Sequence, residues 1–225
     1  MDISPILISL KTAATAIVFT FFLGVYAARW VVSMKSERAR ILVDGVFTLP
    51  LVLPPTVAGF FLLYIFGLYR PVGAFLLAKL GVKLVFNWAA TVVAAVVISF
   101  PLMYRSARAA FDQVDRDLID AGRTLGLSER RIFWRITMPL ALPGSGAGGV
   151  LAFARGLGEF GATVMIAGNI AGRTRTLPLA IYAQVQAADF SSAWLYVAIL
   201  VAICFVVVVL MNWFTARGDR YKTRT

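Results

Sequence analysis

Apolar residues fill five long stretches of this chain, and the charged residues gather in the gaps between them. Uncharged runs reach from Thr12 to Ala28, Gly45 to Tyr69, Leu84 to Tyr104, Ile136 to Ala154 and Phe190 to Ala216. About 20 apolar residues cross the hydrocarbon core of a bilayer as a helix. The first run is short, but Lys11 and Arg29 at its ends can snorkel to the interfaces. The fourth continues past Arg155 and Glu159 as far as about Ala167. The pattern predicts an all-α integral membrane chain, a single transmembrane domain over 1–225. Its spans run over about 10–32, 43–66, 84–105, 140–167 and 190–216.

Within the spans, proline and glycine mark the irregular places. Pro50, Pro54 and Pro55 interrupt the second span and free backbone groups that only protein or a water-lined cavity can satisfy. A kinked helix lining a cavity is expected there. Gly144, Gly146, Gly148, Gly149, Gly156, Gly158, Gly161 and Gly168 crowd the fourth span, which predicts one helix packed closely against its neighbours. The segment RPVGAFLLAKLGVK (70–83) is too short to span. Its apolar positions 72, 75, 76 and 80 suit a short amphipathic helix on the outer face. The opening MDISPILISL lacks the positive n-region of a signal peptide, so no cleavage is expected.

Charge then orients the spans. Of the 22 Lys and Arg residues, Arg29, Lys35, Arg38 and Arg40 follow the first span and seven arginines from Arg105 to Arg135 separate the third from the fourth. Arg217, Arg220, Lys222 and Arg224 form the tail. The opposite side has only Arg70, Lys79, Lys83, Arg173 and Arg175. The positive-inside rule therefore puts the N-terminus outside and the C-terminus in the cytoplasm. The net charge of +11 is a consequence of topology, and nucleic-acid binding is not expected. Composition agrees: 60% hydrophobic and 15% charged residues exclude a soluble enzyme, a disordered tail and a disulfide scaffold. With no His and one Cys (Cys204), neither a metal centre nor an intrachain disulfide is expected.

The longest basic gap, 112–143, reads DQVDRDLIDAGRTLGLSERRIFWRITMPLALP. Val114, Leu118, Ala121 and Leu125 recur at helical spacing, and Gly126 can adopt the left-handed conformation that ends a helix. Ser128 then predicts the cap of a second helix, with Glu129 in its first turn and Ile132, Phe133, Ile136 and Leu140 on its apolar face. Such an elbow suits docking to a partner, although a solvated basic loop has the same composition.

The spacing of this elbow resembles a known family. Asp120-Ala121-Gly122, then three residues, Gly126, nine residues and Ile136-Thr137-Met138-Pro139 are similar to the signature loop of ABC importer permeases. The consensus there is Glu-Ala-Ala, three residues, Gly, nine residues, Ile-x-Leu-Pro. Ala121, Gly126, Ile136 and Pro139 match outright; Asp120, Gly122 and Met138 depart conservatively. LPLVLPPTVAGFFLL (49–63), SFPLMYRSARAAFDQVD (99–115), VLAFARGLGEFGATVMIAGNI (150–170) and GRTRTLPLAIY (172–182) resemble the molybdate branch, which neighbours the sulfate/thiosulfate permeases. The resemblance implies a type I ABC importer (MetI-like) permease fold of five helices with a cytoplasmic coupling helix that docks on an ATPase subunit. It also implies a homodimer in a bacterial inner membrane, and a soluble molybdate-binding protein outside.

The chain contains no G-x-x-x-x-G-K-[ST] segment to cradle nucleotide phosphates and no Ser/His/Asp set. No catalytic residue is expected on it, and ATP with Mg belongs to the partner ATPase. Arg155 and Glu159, four residues apart at membrane depth, share a helix face. They are candidates for the pathway or gate, or an ion pair that fixes helix packing. Thr174, Arg175, Thr176 and Pro178 fall near the expected receptor contact or form an ordinary loop. Phe190, Trp194, Tyr196 and Trp213 suit interfacial anchoring. Tungstate or sulfate as cargo, a passive anion channel and a membrane enzyme are the competing readings; only Arg155 and Glu159 offer chemistry for the last.

Overall fold

The computed structural model describes residues 2–222, with side chains as far as Met211. Trp213 and the tail cations Arg217, Arg220, Lys222 and Arg224 lie outside the described side chains. Regular structure among the described residues is helical: α1 (Ser4–Val32), α2 (Glu37–Val52), α3 (Pro55–Phe66), α4 (Pro71–Leu80) and α5 (Trp88–Asp112). Then come α6 (Arg116–Thr124), α7 (Glu129–Ile132), a π turn (Phe133–Thr137), α8 (Met138–Leu157), α9 (Gly161–Ala167), α10 (Leu177–Gln186) and α11 (Phe190–Lys222).

The sequence placed several boundaries elsewhere, and local chemistry explains each difference. α1 starts at Ser4 because Asp2 accepts the Ser4 N–H at 2.9 Å and Pro5 fits a first turn that needs no donor. The proline-rich second segment is two helices bent by 110°, not one kinked helix. Leu53 and Pro54 each precede a proline, a position that disfavours the α region, and both are extended (ψ 140° and 133°). α5 runs seven residues past 105, through the helix-favouring stretch Arg105–Phe111. Arg108 and Asp112 therefore belong to a helix. α7, the π turn and α8 make one continuous rod, Glu129–Leu157, so Met138–Pro143 is helix as well.

The fourth apolar segment is broken. α8 ends at Leu157, Gly158 and Phe160 leave the helical path, and α9 restarts at Gly161. The glycines thus divide between two helices, the joint and the end of α9 at Gly168.

α5 is the central helix. Over the stretch of each able to cross a membrane, 56% of its residues are buried, against 28% for α1 and 11% for α11. α1 lies parallel to it in a fixed register. Thr12 pairs with Thr91 (2.8 Å) and Thr20 with Ser99 (3.2 Å), each pair 79 residues apart. α8 runs antiparallel, with Gly144 against Ala110 and Gly148 against Ser106. A Cβ added at Gly148 would stand 2.3 Å from Ser106 Cβ, so only glycine permits this approach. Helix association inside a bilayer relies on such close packing and on interhelical hydroxyl bonds, because lipid is as apolar as the side chains. One core gathers around Val31, Met103, Tyr104, Phe111 and Phe133 near the elbow. A second, of small residues with Ile98 and Ile166, joins α3, α5 and α9 at the other end.

Candidate functional site: the elbow and the broken helix

The elbow begins where Asp115 accepts the Asp117 N–H at 2.9 Å and caps α6. It turns at Gly126, whose φ of +75° is left-handed. The Gly126 N–H donates to Arg123 O (2.9 Å) and the Leu127 N–H to Gly122 O (3.1 Å), the paired bonds of a Schellman ending. Ser128 occupies the cap position of α7, but its side chain caps nothing. Across the turn, Arg123 Nη1 bonds Asp120 Oδ1 and Arg123 Nε bonds Glu129 Oε1, both at 2.7 Å. Arg123, which the sequence did not single out, is therefore the link between the two arms. Its guanidinium holds the Glu129 carboxyl below the usual range, and Glu129, then Asp120, raise that of Arg123.

The signature positions separate into two sets. Gly122 is buried, and a Cβ there would stand 3.0 Å from Ile136 Cδ1 and 3.2 Å from Ile132 Cγ1. Gly122 and Ile136 thus meet where α6 lies on the rod, and Pro139 occupies the first turn of α8. Asp120 and Ala121 face solvent. The apolar face expected of this segment is split: Val114 is buried, whereas Leu118 and Leu125 are 47% and 79% exposed. Leu118, Ala121 and Leu125 form a solvent-facing stripe with no partner among the described residues. On the second arm Ile132 and Phe133 are buried, while Leu140 is exposed.

At the far end of α8 the candidate pair meets. Arg155 Nη1 donates to Glu159 Oε2 at 2.7 Å, and the Ala162 N–H donates to Glu159 Oε1 at 2.8 Å. The Glu159 side chain is 1% exposed and that of Arg155 is 32%. One carboxylate therefore ties the last turn of α8 to the first turn of α9, where the helix macrodipole also favours an anion. On the following loop, Thr174 and Thr176 are buried. Thr174 Oγ1 accepts the Ile170 N–H at 3.0 Å, and Arg175 Nε donates to Asn169 Oδ1 at 2.8 Å. These groups shape the loop, and the two threonines are not free for an outside contact.

A third polar cluster escaped the sequence reading. Tyr104 OH donates to Asp44 Oδ1 at 2.8 Å, and Arg108 pairs with Asp44 and, at 3.8 Å, with Asp112. α2 buries no residue of its own, so this cluster is its polar attachment to α5. An acid near the start of an apolar span was the available signal. Among the described residues no group of His, Cys, Asp and Glu could hold a metal ion.

Comparison with known proteins adds what geometry does not. A family model described as binding-protein-dependent transport system inner membrane component matches residues 20–219. A putative molybdenum transport system permease protein, YvgM of Bacillus subtilis, is 41% identical over 90% of this chain and 89% of that protein. The molybdenum transport system permease protein ModB of Escherichia coli K12 is 41% identical over 92% of this chain and 91% of its own length. Among solved structures, a bacterial ABC transporter that imports the acidic polysaccharide alginate matches with a TM-score of 0.74 at 17% identity. That match covers 96% of this chain and 79% of the other. An inward-facing MetNI methionine ABC transporter matches with a TM-score of 0.72 at 16% identity, over 95% and 94% of the two chains. These structures share the all-helical fold of type I ABC importer permeases.

Proposed function

The chain belongs to the family of binding-protein-dependent transport system inner membrane components, and from that premise we propose that it is the permease of an ATP-driven molybdate importer. As a member of that family it is a non-enzymatic, multi-pass inner-membrane component whose partners are an ATPase and a binding protein; ATP is bound by the ATPase. The observation that carries molybdate as cargo is the 41% identity to molybdenum permeases over about nine-tenths of the chain.

The elbow is the coupling element. Its outward stripe of Leu118, Ala121 and Leu125 is apolar, projects from the bundle and is free to enter a groove on the ATPase. Asp120, Ala121, Gly122, Gly126, Ile136 and Pro139 form the docking unit: the first two face the partner, and the others shape the turn and seat it on α8. Because the rod Glu129–Leu157 is continuous, a push on the elbow travels along α8 to the Arg155–Glu159 joint. Two copies of the chain enclose the pathway, with N-termini outside and C-termini in the cytoplasm. ATP closes the ATPase pair, the elbows follow, and the cavity opens outward to accept the ion; hydrolysis returns it inward. Arg155 and Glu159 act as the gate's joint, and the buried carboxylate is a fixed link in it, not an ion site.

Reconstitution of the chain with its ATPase and binding protein in vesicles tests this. ATP-dependent uptake of labelled molybdate that excess sulfate does not suppress is expected. Suppression by sulfate moves the assignment to the neighbouring branch, competition by tungstate marks a shared oxyanion path, and flux without ATP restores the channel. Gly126→Asp is expected to release the ATPase in a pull-down while the spans stay folded; normal capture would sink the docking role.

A further inference from the structure

A cavity of about 610 Å³ opens between the end of α1 and the underside of the elbow. Phe111, Ile119 and Phe133 give it an apolar wall, and its rim carries Arg29, Lys35, Arg123 and Glu129. Arg123 is engaged by Glu129 and Asp120. Arg29 and Lys35 make no ion pair and donate no side-chain hydrogen bond among the described residues. Arg29 is nevertheless held in place: its Cζ lies 3.7 Å from the centroid of the Phe133 ring. Stacking on a ring fixes the plane of a guanidinium and leaves its in-plane donors available as a fork. The partial negative charge at the end of α1 favours a cation there but uses none of those donors. Phe133 also begins the π turn, a rare irregularity that recurs at functional sites.

We propose that this cavity binds a tetrahedral oxyanion, gripped by the Arg29 fork and neutralised by Lys35, with phosphate as the recognised group. A fork of parallel N–H donors matches two phosphate oxygens, and Lys35 adds a mobile point charge at the mouth. The phosphate arrives either on the headgroup of an anionic phospholipid, whose glycerol and upper acyl carbons meet the apolar wall, or as the free ion. The lipid ties α1 to Ile119 on α6 and Phe133 on the rod and so restrains the elbow against the bundle, whereas the free ion bridges Arg29 and Lys35 alone.

The full chain in nanodiscs separates the two sources. In phosphatidylcholine doped with phosphatidylglycerol, native mass spectrometry is expected to find phosphatidylglycerol retained selectively. Lys35→Gln is expected to weaken retention about fivefold, the worth of one cation near an anionic surface, and Arg29→Gln to weaken it more than about tenfold. In pure phosphatidylcholine, binding of inorganic phosphate that both substitutions weaken identifies the free ion as the source instead. Lys35 is exposed in the α1–α2 turn, so its substitution reports on binding even where Arg29→Gln impairs folding. Unchanged binding of both probes in Lys35→Gln and Arg29→Gln overturns the proposal.

Discussion

The elbow at Gly126 and the joint at Gly158 are built alike and held differently. Each is a helix, a glycine, a short break and a second helix, and each is bridged by an Arg–Glu pair at 2.7 Å. At the elbow both partners are more than half exposed; at the joint the glutamate is 1% exposed. Exposed pairs contribute little, because water and salt compete for both charges. A buried carboxylate whose two oxygens each accept a hydrogen bond is a rigid connector, since removing either donor leaves charge without solvent. In the function proposed above the two kinds divide the work: a contact that can rearrange against a partner, and a joint that passes motion on without yielding.

The largest effect should come from emptying the joint. Glu159→Ala removes the tie to Arg155 and the acceptor for Ala162, and is expected to lower stability by about 3 kcal/mol in a denaturant titration. The one-third exposure of Arg155 keeps the loss at the low end of that range. Glu159→Gln keeps an acceptor for Ala162 but unpairs Arg155, and should impair uptake with a smaller stability loss. Unchanged uptake would remove the pair from the mechanism. Gly148→Ala comes next: its Cβ meets Ser106, and overpacking of this kind costs about 1–3 kcal/mol. Gly126→Ala tests conformation alone, because nothing lies within 4 Å of the added Cβ. The left-handed φ makes it cost about 1 kcal/mol, and a melting curve equal to that of Gly148→Ala would contradict the distinction.

Smallest in stability, and most selective, is Glu129→Gln. It should leave the melting temperature in place and loosen the elbow, read as a wider distance between spin labels on α6 and α7. Acid should do the same to the wild type. The Glu129 carboxyl lies below its ordinary value of 4.5, so the link is complete above that pH and is lost as pH falls through the lower, folded-state value. An elbow equally tight well into the acid range, or indifferent to salt, would mean that it is a rigid joint like the other.

The two regions were also unequally legible. The elbow is local: a left-handed glycine and the motif positions around it act within a few residues, and spacing alone exposes them, although the cap falls on Asp115 and not on the expected Ser128. Its register on the rod, where Gly122 meets Ile136, is a contact across fourteen positions that no periodicity reveals. Leu118 and Leu125 look like core in the sequence because helical spacing cannot say which face a partner will cover. At the joint, the charges at membrane depth were visible, but the break was not. It is bridged by Glu159 accepting from the Ala162 N–H, a contact that apolar residues on both sides of the charges conceal.

The sequence by itself determined the all-helical class, the apolar stretches, the elbow and its glycine, because hydropathy and local backbone preference are properties of neighbouring residues. Only the tertiary structure decided that the second apolar segment bends by 110° and that the fourth is broken at Gly158. It alone put Asp44 beside Tyr104 and Arg108, and Arg29 over Phe133. Those last contacts join groups far apart in the chain, brought close by helices that pack on small residues, whereas the bend and the break are local events that hydropathy does not register.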